Sequence, residues 1–330
     1  MGQAIEKIAV IGAGIMGHGI AQVCAQAGKK VTLVDSVPEA IQSAPVRIEN
    51  SVRMLCENGL LPAALTPVVM GNLTFTTRLE EGIESADVVF EVVTEKLDVK
   101  RLLFKELDAR CGPTVIFASN TSSFPIHLLA ECSKHPERVI GTHFFNPAQL
   151  VPLVEVITPE TTSPAVLKTI MEFFSSAGKK PVHVRKDIPG FIANRLQMAI
   201  ARECVSLVQK DVASPEEVDT VIKYSMALRM PFSGVLEQRD LNGLDTHASA
   251  AEILFPDLED TKEILPVLRE KVARGEYGLK TGKGFYDWTK QNRAEVVKRK
   301  NLQLVSLLKL LNADPETVLT ATHKAKSGGD

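Results

Sequence analysis

Aromatic residues make up only 5% of the 330 residues, with a single tryptophan, and cysteine occurs five times. The cysteines (Cys24, Cys56, Cys111, Cys132, Cys204) are odd in number, scattered, and never form a C-x-x-C pair. That spacing excludes a disulfide framework and a zinc site, so no metal is expected and the thiols are expected to be reduced. No apolar run approaches the length needed to span a membrane. An excess of one charge is also missing: 38 Lys+Arg face 40 Asp+Glu, a net charge of −2. Such a balance provides no long-range field for a polyanion, which argues against a nucleic-acid partner. The opening MGQAIEKIAVIGAG reaches a glycine turn before a signal-peptide core can form, and Glu6 stands where a myristoylation signal needs Ser or Thr. A cytoplasmic protein with no membrane partner is expected.

At 330 residues the chain exceeds what one hydrophobic core usually serves. From Lys7 to about Val184, short β-rich runs (KIAVIG, KVTLVD, DVVFEVV, TVIFAS, RVIGTHF, LVEVI, PVHV) alternate with helical stretches at 15–28, 38–58, 97–110 and 163–177. Near-continuous apolar strands separated by helices predict an α/β fold: a Rossmann-type, doubly wound parallel sheet covered on both faces. After RKDIPGF the strand signal disappears, and residues 190–325 read as an all-α C-terminal domain ending in an amphipathic tail. The boundary falls near Asp187–Pro189, giving a nucleotide-binding domain over 1–187 and a helical substrate and dimerisation domain over 188–330. Pro45 lies inside the stretch 38–58, where it predicts a break costing about 3 kcal/mol.

IAVIGAGIMGHGIA sets Gly12, Gly14 and Gly17 in a G-x-G-x-x-G pattern between a strand and a helix. Gly12 permits the tight turn, Gly14 a close backbone approach to a pyrophosphate, and Gly17 close helix–strand packing; Ile15 and Met16 lie within the same turn. Asp35 ends the next strand, 18 residues after Gly17, where it accepts ribose hydroxyls and repels a 2′-phosphate. The expected cofactor is therefore NAD rather than NADP. GLKTGKG at 278–284 is one residue short of a phosphate loop and lacks its Ser/Thr, so it reads as an ordinary loop.

Oxidation of an alcohol needs a base, and histidine suits that task near neutral pH. Of the seven histidines, His18, His127, His135, His183, His247 and His323 have no partner evident in the sequence. His143 in THFFNP ends a strand on the carboxyl edge of the sheet, where ligands bind in such folds. The turn at Asn146-Pro147 folds LVEVI back, which can bring Glu155 alongside His143 to fix its tautomer. The two phenylalanines are expected to keep that pair dry.

SNTSS (119–123), HFFNP (143–147), LVEV (153–156) and DIPGFIANR (187–195) together resemble the 3-hydroxyacyl-CoA dehydrogenases, and the resemblance runs in order from Gly12 to about Trp288. It implies His143 as general base, Glu155 as its orienting carboxylate, and Ser122 and Asn194 as hydrogen-bond partners of the reacting oxygen. Glu95, Lys100 and Asn120 would line the nicotinamide side. It also implies a helical domain that forms a homodimer, an active site between the domains, and an L-3-hydroxyacyl-CoA as substrate. Three stretches depart from the acyl-CoA pattern. RIENSVRMLCENGLL offers Arg47, Arg53 and Asn58 but no lysine for coenzyme A phosphates. AQLVPLVEV replaces VPVMKLVEV, and MPFSGVLEQRDLNGLD replaces GPFEL. These departures look similar to the branch that oxidises free hydroxy acids, namely gulonate, carnitine and pyridine-carboxylate dehydrogenases. That substrate class is the alternative; a non-catalytic NAD-binding protein is a third reading. A serine hydrolase is excluded by the lack of a G-x-S-x-G elbow.

Overall fold

Successive residues of the first strand point into different cores, which is how one sheet organises two helical layers. Ile8 and Val10 join a cluster with Ile20, Ile48, Phe90, Phe144 and Phe174. Ala9 and Ile11 join another with Leu103, Phe104, Phe117 and Ile126. The period-2 alternation of strand side chains makes this division unavoidable once both faces are covered.

A computed structural model describes residues 4–312. The chain divides into two units, the first ending at Arg195 and the second beginning at Leu196. The first holds an eight-stranded sheet of β1 (Lys7–Ile11), β2 (Lys30–Val34), β3 (Leu73–Thr76), β4 (Val88–Glu91), β5 (Ile116–Ser119), β6 (Val139–Phe144), β7 (Leu153–Ile157) and β8 (Lys180–Val184). The strand order is β3-β2-β1-β4-β5-β6-β7-β8. Its helices are α1 (Ile15–Gln26), α2 (Pro38–Glu57), α3 (Leu65–Gly71), α4 (Leu79–Ile83), α5 (Leu97–Arg110), α6 (His127–Ala130) and α7 (Pro164–Ser176). The order reverses between β1 and β4, so the crevice at their carboxyl ends is the topological switch point at which such sheets bind ligands.

The structure differs from the sequence reading in three places. The strand β3 and the short helices α3, α4 and α6 escaped it, because elements of four to seven residues carry too few periods to register. The sheet is not parallel throughout: β7 pairs antiparallel with β6, and β8 runs parallel to β7. Finally, α2 continues through Pro45 without the expected break. Its buried stripe of Ile41, Ala44, Ile48, Val52 and Leu55 packs along the whole length, and that burial outweighs the local cost of one lost backbone bond.

Phe90 anchors the first core. Its fully buried ring meets Phe144 edge-on at 6.3 Å and 83°, and burial of such a side chain contributes about 1.5–3 kcal/mol.

The second unit is helical: α8 (Ala193–Gln209) leads into it, followed by α9 (Pro215–Tyr224), α10 (Met226–Arg229), α11 (Val235–Asn242), α12 (Leu244–Leu254), α13 (Pro266–Ala273) and α14 (Arg293–Asn312). Ser214 and Glu217 close a capping box at the start of α9. The stretch 278–284 forms turns and isolated bridges, as the loop reading expects. His323 and the terminal KSGGD lie outside the described residues. Among the described residues, no helix is long and apolar enough to cross a membrane. All five cysteines are free thiols.

Candidate active site

The glycine turn connects β1 to α1 under tight steric control. A Cβ on Gly17 would lie 1.6 Å from the Gly12 carbonyl oxygen, and Gly12 itself has φ +110 with the Val92 carbonyl 2.5 Å from where its Cβ would stand. Only glycine fits either position. Around Gly14 there is open space instead. It caps α1 without any side-chain hydrogen bond, so the first amides of the helix face outward uncapped. Asp35 Oδ2 accepts the Ala13 amide at 2.7 Å and Oδ1 accepts the Val37 amide at 2.9 Å, which ties the end of β2 to the turn. An open, uncapped helix start beside a carboxylate fits a dinucleotide with an unphosphorylated ribose. Ile15 is exposed beside the turn, while Met16 packs partly into the core.

At the far end of β6, His143 Nδ1 meets Glu155 Oε2 at 2.8 Å, with both side chains almost fully buried. The other carboxylate oxygen accepts the amides of Ile192 and Ala193 at 2.9 and 2.8 Å, at the start of α8. Burial pushes the Glu155 carboxyl up, but the His143 hydrogen bond and the two amides outweigh it and hold it below its ordinary value. Glu155 is thus a charged acceptor. Nδ1 must then carry the proton, which leaves the lone pair on Nε2.

The phenylalanines of THFFNP part company. Phe145 lies against the His143 ring, centroids 4.5 Å apart and planes tilted by 57°, whereas Phe144 turns to the opposite face of the sheet. Its expected place is taken by Phe191, 5.7 Å from the ring, fully buried and held at φ +51. Strand alternation dictates the first fact, and the second depends on tertiary docking of 187–192.

A second polar network occupies the ends of β4 and β5. Lys100 Nζ, 1% exposed, lies 2.7 Å from Glu91 Oε1 and 3.1 Å from Glu95 Oε2. Glu91 also accepts the Ser119 hydroxyl at 2.6 Å and the Val93 amide at 2.9 Å. Glu95 accepts the Thr121 hydroxyl and the Ser122 amide at 2.6 and 2.9 Å. Burial opposes ionisation of Glu95, yet Thr121, Lys100 and Ser122 together hold its carboxyl below the usual range. Asn120 Oδ1 accepts the Phe144 amide at 2.8 Å, linking this network to β6. Asn194 Nδ2 donates to the Ser122 carbonyl at 2.8 Å, so those two are brought together through the backbone rather than the serine hydroxyl.

The residues singled out in the sequence therefore gather in three groups: Gly12–Gly17 with Asp35, Glu95–Lys100 with Asn120, Ser122 and Asn194, and His143 with Glu155. Among the described residues, no direct hydrogen bond joins His143 to Ser122 or Asn194. Sequence reasoning missed Glu91, Ser119, Phe191 and the amides of Ile192 and Ala193. Only Glu91 left a signal there, an acid ending the apolar strand VVFE.

Other histidines gained partners the sequence did not reveal. His127 Nδ1 lies 2.8 Å from Asp187, matching the His143 distance, but its side chain is 51% exposed. Asp187 also accepts the Ile126 and His127 amides and so acts as a cap for α6. A cavity of about 900 Å³ opens beside this pair, lined also by Thr158, Thr162 and Arg185; His143 and Glu155 do not line it. Burial, not distance, distinguishes His143. Among the described residues, no cluster of three or more His, Cys, Asp or Glu side chains is arranged to hold a metal.

Residues 7–188 match the family described as 3-hydroxyacyl-CoA dehydrogenase, NAD binding domain, and residues 190–288 match its C-terminal domain. The chain is 40% identical over 285 residues to a probable 3-hydroxybutyryl-CoA dehydrogenase of Bacillus subtilis, covering 86% of this chain and 98% of the relative. The solved structure of 5-formyl-3-hydroxy-2-methylpyridine 4-carboxylic acid 5-dehydrogenase, an NAD+ dependent dismutase, superposes with a TM-score of 0.88 at 32% identity, covering 94% of this chain and 99% of that one. (S)-3-hydroxybutyryl-CoA dehydrogenase from Ralstonia eutropha superposes at 0.72 and 33% identity, covering 86% and 99%.

Proposed function

This chain belongs to the 3-hydroxyacyl-CoA dehydrogenase family, and from that premise we propose that His143 is the base of an NAD-dependent oxidation of an L-3-hydroxyacyl-CoA to the 3-ketoacyl-CoA. The observation that carries the assignment is the buried Glu155 carboxylate, which pins Nδ1 of His143 and leaves Nε2 as the one basic position of the ring. The lone pair on Nε2 takes the hydroxyl proton of the substrate. The imidazolium so formed is stabilised by Glu155, whose charge is itself held by the Ile192 and Ala193 amides. Ser122 and Asn194 hydrogen-bond the reacting oxygen as the carbonyl forms. Phe145 and Phe191 exclude water from the pair, which strengthens its electrostatics. Gly12, Gly14, Ile15, Met16, Gly17 and Asp35 hold the adenosine and pyrophosphate of NAD, while Glu95, Lys100 and Asn120 line its nicotinamide side. NAD, when bound, supplies the acceptor for the hydride.

A second substrate class has its own support. Similarity to the pyridine-carboxylate enzyme extends over 94% of the chain at a TM-score of 0.88, against 86% and 0.72 for the Ralstonia acyl-CoA enzyme. On α2, Arg47 donates to the Ala13 and Ala40 carbonyls, Arg53 pairs with Glu49, and Asn58 donates to the Met54 carbonyl. Arg47 and Asn58 are thus engaged by backbone carbonyls, which leaves the exposed Arg53 as the one cation of this stretch presented to solvent, fewer than coenzyme A phosphates call for. The alternative is the same proton and hydride chemistry on a free hydroxy acid.

Incubation with NAD and 3-hydroxybutyryl-CoA, then with a panel of free hydroxy acids, decides between them. Formation of reduced cofactor only with the thioester supports the first reading, and only with a free acid the second. NAD binding without turnover on any of them would leave a non-catalytic NAD-binding protein. We extend the proposal to a cytoplasmic homodimer, supported by the exposed apolar residues Leu236, Leu241, Leu244, Ile253 and Phe255 of α11 and α12 and their flanks. Light scattering of the purified chain checks its mass.

A further inference from the structure

The Glu91–Lys100–Glu95 network contains one more negative charge than positive, and it stands where a dinucleotide must end. The glycine turn and Asp35 hold the carboxyl ends of β1 and β2, and His143 ends β6. A hydride acceptor reached from His143 therefore lies over the ends of the strands between, β4 and β5, about 4.8 Å apart. Glu91 ends β4, Ser119 ends β5, and Glu95 follows four residues after Glu91.

The three charges differ in exposure. Glu91 is fully buried and Lys100 is 1% exposed, while the Glu95 side chain is 38% exposed. A buried ammonium between two carboxylates neutralises only one of them. The one it meets at shorter range is Glu91, at 2.7 Å against 3.1 Å, and Glu91 is fixed further by Ser119 and the Val93 amide.

Resting on the reading of β4 and β5 as the nicotinamide side, we propose that Glu91 is a positioning residue that takes up the larger share of the Lys100 charge, so that the network keeps one net negative charge, exposed at Glu95, on the nicotinamide side. The oxidised nicotinamide ring is cationic and the reduced ring is neutral. One uncompensated carboxylate beside it favours NAD+ over NADH, so the network sets the preference between the two cofactor states. Without Glu91, Lys100 would cancel Glu95, and that preference would disappear.

The test titrates the full-length chain with NAD+ and with NADH and compares the two dissociation constants, which needs no substrate. Glu91→Gln keeps an acceptor oxygen for the Val93 amide, turns the group facing the Ser119 hydroxyl into a donor that this hydroxyl can accept, and removes a charge, so the ratio Kd(NAD+)/Kd(NADH) should rise about tenfold. Lys100→Gln should lower that ratio by a similar factor. The double variant Glu91→Gln/Lys100→Gln restores the net charge and should return the ratio to the wild-type value. A purely structural role for Glu91 would instead leave the ratio unmoved, or make the double variant worse than either single one, and either result overturns the proposal. Should Glu91→Gln fail to fold, Lys100→Gln decides alone, because an unchanged or raised ratio there is equally fatal. Wild-type chain that binds neither cofactor sinks the site assignment itself, whereas binding with an unmoved ratio sinks only this inference.

Discussion

His143 and Glu155 stand directly opposite each other in the antiparallel register of β6 and β7, and this places Nδ1 and Oε2 2.8 Å apart. Opposed residues of an antiparallel pair project from the same face, so the contact follows from register and needs no loop to adjust it. A slip of one residue would send the two side chains to different faces.

The first prediction concerns this pair. His143→Gln should lower kcat by about 10²–10⁴-fold with little change in NAD affinity. Glu155→Gln should also lower kcat, since an amide in that place no longer enforces the Nδ1–H tautomer. Steady-state rates and a cofactor titration separate the two effects, and an active His143→Gln variant removes the assignment.

A pH dependence follows from the depressed carboxyl of Glu155. A group whose folded-state value lies below its unfolded value stabilises the fold fully above the unfolded value, about 4.3, and loses that contribution as pH falls through the folded value. The difference in Tm between wild type and Glu155→Gln should therefore be largest near neutral pH and shrink below about pH 4. Calorimetry across that range checks it; a constant difference contradicts it.

Contrasting fates are expected for two glycines of one turn. Gly17→Ala forces a Cβ against the Gly12 carbonyl and should destabilise the first unit by about 3 kcal/mol or prevent folding. Gly14→Ala meets no protein atom within 4 Å, so Tm should hold while NAD affinity falls. Thermal melts paired with NAD titrations distinguish the cases.

Selectivity between cofactors should rest on Asp35. Asp35→Ser removes the charge that repels a 2′-phosphate, so the preference for NAD over NADP should fall by about tenfold or more. Dissociation constants for both cofactors measure it. Some loss of affinity for NAD itself is expected, because the Ala13 and Val37 amides lose their carboxylate.

Lys179 provides a stability test away from the chemistry. Its buried ammonium donates to the Ala148 and Val151 carbonyls in the loop between β6 and β7, and burial pulls it down to about 8 from 10.5 against the opposing effect of Cys24. The folded chain then releases this proton before the unfolded chain does, so wild type gains stability relative to Lys179→Met as pH rises from about 8 to 10.5. Melts of both proteins at pH 7 and pH 10 should show the difference shifting toward wild type.

Much of the architecture was legible because its signals are local. The glycine spacing, the acid ending KVTLVD, the apolar strand runs and the helical periods each lie within a few residues, where sterics and side-chain period act directly. Pro45 misled for the same reason: its penalty is local, but the stripe from Ile41 to Leu55 that overrides it is buried against elements distant in sequence.

The sequence by itself determined the nucleotide turn, the order of strands and helices through most of the first unit, and the placement of a histidine on the carboxyl edge of the sheet. Tertiary structure alone decided that Phe191 rather than Phe144 flanks His143, that the start of α8 supplies two amides to Glu155, and that Lys100 is shared between Glu91 and Glu95. The physical reason is range. Backbone conformation is set by near neighbours, whereas the partner of a buried charge is set by strand register and helix docking, which only the assembled core fixes.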